Sequence, residues 1–137
     1  MDIKALNKDL DSLILTKAKL AKLTYDHQDY DRVEEELHDM EDDFLEKYGD
    51  EMEEVLDNVH EKLKSDNDVL LPIAYLPKAP SVKKDDKGNN LYELTVADGV
   101  QIDVPGKKGD VRLVVLSNPP RIILAEGKNQ TTLWEAK

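Results

Sequence analysis

The stretch Asp26–Glu61, DHQDYDRVEEELHDMEDDFLEKYGDEMEEVLDNVHE, decides how this chain is read. Beneath its charge runs a helical repeat. Val33, Leu37, Met40, Phe44 and Tyr48 recur at spacings of three and four, and so do Met52, Val55, Leu56, Val59 and Leu63 beyond them. Such spacing gathers apolar side chains on one face of a helix and leaves the other face to water. Asp31 with Glu34 three residues later forms a capping box, in which side chains satisfy free backbone N–H groups at a helix start. Gly49 has the character of a helix-stopping glycine, and Asp50 with Glu53 forms a second capping box. The stretch is therefore expected to hold two helices broken at Gly49.

The same stretch carries the whole of the chain's negative excess. It holds 17 Asp and Glu against only Arg32 and Lys47, a net of −15. The segments before and after it each carry +2, which leaves −11 for the 137 residues. The charge works against the helices that bear it. Glu35–Asp39, Asp39–Asp43, Asp42–Glu46, Asp50–Glu54, Glu53–Asp57 and Asp57–Glu61 are like-charge pairs one turn apart, each costing about 0.2–0.5 kcal/mol at low salt. Asp43–Lys47 is a rare favourable pair. A solvated, solubilising outer face is the plain reading. The functional reading is a directed negative field that docks a basic partner, or a nucleic-acid mimic occupying a binding groove. Glu35, Asp39, Asp42, Asp43, Glu46, Glu54 and Asp57 would carry that docking.

Outward from this stretch, the chain divides near residue 70. Before it, Ile3, Leu6, Leu10, Leu13, Ile14 and Ala21 form another helical stripe behind a candidate N-cap at Asp2, with a turn at Asp26–Asp29. After Leu71 come all six prolines and five of the six glycines. Leu70–Leu76 contains Pro72 and is expected to be an edge or bulged strand. Pro77–Asn90 is expected to be an exposed, mobile loop. Leu91–Val96 alternates, with Tyr92, Leu94 and Val96 on one side. Asp98-Gly99 is a two-residue hairpin signal leading back through Val100, Ile102 and Val104. Gly106–Gly109 is a further turn, Val111–Leu116 a central strand, and Asn118-Pro119-Pro120 another turn. Ile122–Ala125, a turn at Gly127–Asn129, and Thr131–Trp134 complete five or six short strands. The expected fold class is α+β. An N-terminal antiparallel helical unit of two to three helices (residues 1–68) precedes a C-terminal antiparallel β-meander or small barrel (residues 69–137), with one core shared between them as an option. Covering the long apolar stripe of the first helix makes a homodimer reasonable.

Several function classes are excluded or disfavoured. The chain has no cysteine, so disulfides, thiolate metal sites and cysteine nucleophiles are ruled out. No apolar run reaches the ~20 residues of a membrane span. Met1–Lys4 does not open a signal peptide, so a cytoplasmic location is expected. The acidic balance disfavours direct contact with nucleic acid or an anionic membrane. His27, His38 and His60 all lie in the acidic stretch. Glu35-x-x-His38 and Asp57-x-x-His60 echo the spacing of carboxylate–histidine metal sites in helical bundles, but Glu35 and His38 point away from the apolar face, so no metal and no cofactor are expected. The histidines are read as solvated side chains able to sense pH. Ser12, Ser65, Ser81 and Ser117 lack a nucleophile-elbow context, no glycine loop cradles phosphate, and Pro77-Lys78-Ala79-Pro80 matches PxxP only formally. The expectation is a non-enzymatic interaction module of adaptor, inhibitor or immunity type with a basic protein partner. The alternative is a metal- or small-ligand-binding protein using His38, His60 and nearby carboxylates, or a pocket in the β unit.

Overall fold

Asp2 starts the first helix as an N-cap, its carboxylate accepting the Ala5 N–H at 3.2 Å. In this computed structural model, which describes residues 1–95 and 97–137, α1 spans Ile3–Ala21 and α2 spans Tyr30–Leu63. The two pack antiparallel. Tyr48 Oη donates to Asp9 at 2.8 Å near one end, and Thr16 contacts Met40 near the other. At 34 residues, α2 is one unbroken helix of about 51 Å. The expected break at Gly49 is absent. Glycine costs a helix only about 1 kcal/mol relative to alanine, and the flanking Tyr48 and Met52 are anchored in the core. Asp50 and Glu53 therefore lie mid-helix and cap nothing. Asp31 and Glu34 do not form a cap either, because α2 begins two residues earlier than that box requires, at Tyr30 with Asp29 in the N-cap position. The helix ends where Lys64 turns left-handed (φ 57°) and the Ser65 N–H bonds back to His60 O at 3.0 Å.

Leu70–Leu76 is not a strand. Pro72 opens a 3₁₀ turn, Pro72–Tyr75, a position that suits a residue with fixed φ and no N–H. The Pro77–Asn90 segment is more ordered than its composition suggests. It contains strand β1, Ser81–Lys84, which pairs antiparallel with β2, Asn90–Glu93. The remaining strands are β3 (Val100–Gln101), β4 (Val111–Leu116), β5 (Arg121–Glu126) and β6 (Asn129–Glu135). They form an open four-stranded meander in the order β3-β4-β5-β6. The expected turns at Gly106–Gly109, Asn118–Pro120 and Gly127–Asn129 all occur between its paired strands. Val96 lies outside the described residues.

The Asp98-Gly99 turn forms, but it joins two sheets instead of making a hairpin. β2 pairs with β1, and β3 pairs with β4. The Asp98 carboxylate is buried and accepts the N–H groups of Lys78 (2.9 Å) and Thr95 (2.6 Å), so it brackets the crossing. Gly99 has φ +82°, and a Cβ there would stand 2.3 Å from Leu113 O. Only glycine fits.

The central strands are apolar on both faces because both faces are covered. Val111, Leu113, Val115, Ile122 and Leu124 join one core with Leu6, Leu10, Leu13 and Ile14 of α1 and Phe44, Met52, Leu56 and Val59 of α2. On the reverse face Val114, Leu116 and Ile123 pack under Tyr92 and Leu94. One hydrophobic cluster thus spans the helices and the meander. The apolar stripe of α1 is covered within the single chain, which removes the packing reason for a second subunit.

Candidate functional site

The acidic face is built by the long, uninterrupted α2. Taking about 100° per residue, its buried side chains lie on one side. Glu35, Asp39, Asp42, Asp43, Glu46, Glu54 and Asp57 lie within about 70° of the opposite direction. All seven are exposed. From Glu35 to Asp57 they extend over roughly 33 Å of helix. Had the helix broken at Gly49, Glu54 and Asp57 would sit on a separate element. Its continuity places all seven on one rod.

Few cations answer this charge. Lys47 pairs with Asp43 at 3.0 Å, and Arg32 bridges Asp29 (3.6 Å) and Glu36 (3.8 Å). Among the described residues, Glu35, Asp39, Asp42, Glu46, Glu54 and Asp57 have no ion-pair partner. The face is solvated, and a shallow open depression of about 520 Å³ lies on it, lined by Arg32, Glu35, Glu36, Asp39, Met40 and Asp43; it can attract and orient a cationic surface. No family model matches the chain, and no curated protein or solved structure is significantly similar to it.

The histidines separate. His38 is exposed, with Nδ1 3.6 Å from Glu41. His60 is only 3% exposed, so its reading as a solvated side chain is corrected. Lying on one helix, the two rings are held about 33 Å apart and do not share a site. No group of three or more His, Asp or Glu side chains converges in a metal-binding arrangement among the described residues. His60 Nε2 lies 3.0 Å from Tyr75 Oη, which also accepts the Leu70 N–H at 3.0 Å. Nδ1 is buried with no hydrogen-bond partner. Burial disfavours the imidazolium and holds the His60 pKa below its ordinary value; Asp57 opposes this more weakly. The Asp57-x-x-His60 spacing therefore splits a solvent carboxylate from a core imidazole.

A second constellation was not visible in the sequence. The half-buried Asp11 carboxylate on α1 receives donors from two distant segments. Tyr92 Oη, Ser117 Oγ (3.0 Å) and Asn118 Nδ2 (3.0 Å) donate to Oδ1, and Asn90 Nδ2 (2.8 Å) donates to Oδ2. Asn7, one turn earlier, accepts the Asn118 N–H at 2.6 Å and donates to Asn118 Oδ1 at 2.9 Å. Burial, reinforced by Asp11, raises the Tyr92 pKa. Every donor reaching Asp11 is satisfied, so the cluster acts as a clasp between α1, β2 and the β4–β5 turn. Pro77-Lys78-Ala79-Pro80 is likewise absorbed into structure, with both prolines buried and Lys78 bonded to Asp98.

Proposed function

We propose that this chain is a non-enzymatic, cytoplasmic protein-interaction module, of adaptor, inhibitor or immunity type, that docks a basic protein through the outward face of α2. The supporting observation is the set of six exposed carboxylates without ion-pair partners on one side of a single helix. A surface serving solubility alone needs charge, but not its concentration where like charges one turn apart weaken the helix. Complementary fields chiefly accelerate encounter and select partners by sign. Docking of this kind weakens steeply with ionic strength, because exposed charges are screened beyond ~8–10 Å in ordinary salt.

The test is an affinity capture from native-host lysate, with the unaltered chain compared against Glu35→Gln/Asp39→Asn/Asp42→Asn/Asp43→Asn. All four positions are exposed, so the variant is expected to fold. A basic protein eluted by raised salt from the unaltered chain and missing from the variant supports the docking reading. Absence of any salt-eluted protein, or equal capture by the variant, refutes it and leaves the face a solubility feature.

A further inference from the structure

The molecule carries a second surface of opposite character, independent of the outer face of α2. A groove of about 720 Å³ runs between α1, α2, the 3₁₀ turn and edge strand β3. Leu70, Leu71, Ile73 and Val100 give it an apolar lining, and Lys17, Lys78 and Arg112 bring cations to it. Leu70 is 44% exposed and Leu71 55% exposed, which is unusual for adjacent leucines in a chain with a well-formed core. Their exposure is not the result of a loose loop. The Leu70 N–H is tied to Tyr75 Oη, and Leu71 is the residue that precedes Pro72 at the start of the 3₁₀ turn.

The charge around the groove narrows what fits it. Among the described residues, Lys17 and Lys78 have no ion-pair partner, whereas Arg112 is held by Asp110 at 3.0 Å. Glu41 is the carboxylate that lines the groove. Burial and the neighbouring Lys78 both lower the Lys17 pKa, against the opposing pull of Glu41 and Asp98. Glu41 is the largest charged neighbour of this half-buried ammonium but does not offset its burial, so an incoming carboxylate would restore part of the solvation that burial removed. Lys17, Lys78 and Arg112 against Glu41 leave the lining side chains with a net of +2, opposite in sign to the outer face of α2. The groove is within the size range of binding clefts, but it lies open along its length. A small ligand is normally mostly enclosed, whereas a peptide segment needs only one side covered.

We infer that this groove docks a segment of a partner protein bearing two or more bulky apolar side chains flanked by carboxylates, the apolar groups on Leu70, Leu71, Ile73 and Val100 and the carboxylates on Lys17 and Lys78. Among the described residues β3 is the edge of its sheet, where an extended segment could add alongside it.

The experiment selects a random-peptide library displayed on phage against the folded chain. Enriched peptides are then titrated against Leu71→Asp and Lys17→Glu/Lys78→Glu. Leu71 and Lys78 are exposed and Lys17 is half-buried, and near-ultraviolet circular dichroism checks each fold, with Lys78→Glu alone as the mildest variant. The expected result is enrichment of net-negative peptides rich in large apolar residues. Their affinity falls about tenfold or more on either groove variant, as for loss of an interface anchor. Failure to enrich any peptide, enrichment of basic or uncharged peptides, or binding indifferent to these substitutions overturns the inference. So does a Leu71-dependent dimer in sedimentation equilibrium, which would assign the groove to a second copy.

Discussion

Removing the Asp11 carboxylate probes the clasp that joins the helical hairpin to the strands. In Asp11→Ala, Tyr92, Ser117, Asn118 and Asn90 lose the acceptor they share. Hydrogen bonds to a charged group contribute about 1.5–3 kcal/mol each, and a buried donor left unpaired costs about 1–3 kcal/mol. The four do not add in full, since a network shares its energy. Asp11, Asn90 and Tyr92 are half-buried, so water replaces part of what is lost. Ser117 is 2% exposed and has no such recourse. The buried Ser117 donor and about two charge-assisted bonds sum to about 4–9 kcal/mol, and water at the half-buried groups brings the expected loss to the lower end, about 3–4 kcal/mol. Against a total stability of roughly 5–15 kcal/mol, that leaves a marginal fold. The midpoint of thermal unfolding should fall by about 10–15 °C. Urea unfolding followed by circular dichroism at neutral pH gives the free energies for Asp11→Ala, Tyr92→Phe and the double variant. A coupling of about 1–2 kcal/mol between the two sites is expected for groups in direct contact. A loss under about 1 kcal/mol for Asp11→Ala, or additive single variants, would refute the clasp.

Three further outcomes follow from particular residues. Gly49→Ala should stabilise the chain by about 0.5–1 kcal/mol, because the site is helical and a Cβ there meets Leu45 at an ordinary 3.7 Å; destabilisation in urea titration would show that α2 breaks at this point. Gly99→Ala should cost more than about 2 kcal/mol, since its Cβ meets the Leu113 carbonyl at 2.3 Å in a left-handed conformation, and a neutral effect on the melting midpoint would contradict the crossing geometry. His60 supplies a pH dependence: its pKa is depressed in the fold below the ordinary 6.5, so its contribution is complete above that value. As pH falls below 6.5, the unfolded chain takes up the proton first and stability declines. Stability measured between neutral and mildly acidic pH should slope less in His60→Gln, and equal slopes would mean that the ring is solvated.

How much could be read locally depended on the range of the interaction involved. Asp2 capping, the stripe through Leu6, Leu10 and Leu13, the apolar run Val111–Leu116 and the turns of the meander are set by residues a few positions apart, and all were legible. Gly49 misled because a weak local stop competes with core anchors on either side of it. Pro72 pointed to an edge or bulged strand, but the element there is a 3₁₀ turn. The strand Ser81–Lys84 was hidden by lysines because both of its residues at 83 and 84 face water. The carboxylates of the outer face are legible one by one in the sequence. Their gathering onto one rod needed the unbroken helix.

The sequence by itself determined the class, helices before strands, and confined the negative charge to one helical region, because periodicity and charge are written residue by residue. Only the tertiary structure decided that β2 pairs with β1 and not across Asp98-Gly99, that Asp11 binds partners as far away as Asn118, that His60 is buried, and that Lys17 meets Leu71 and Val100 in one groove. Those choices compare burial and hydrogen bonding between segments many residues apart, and no local spacing encodes the comparison.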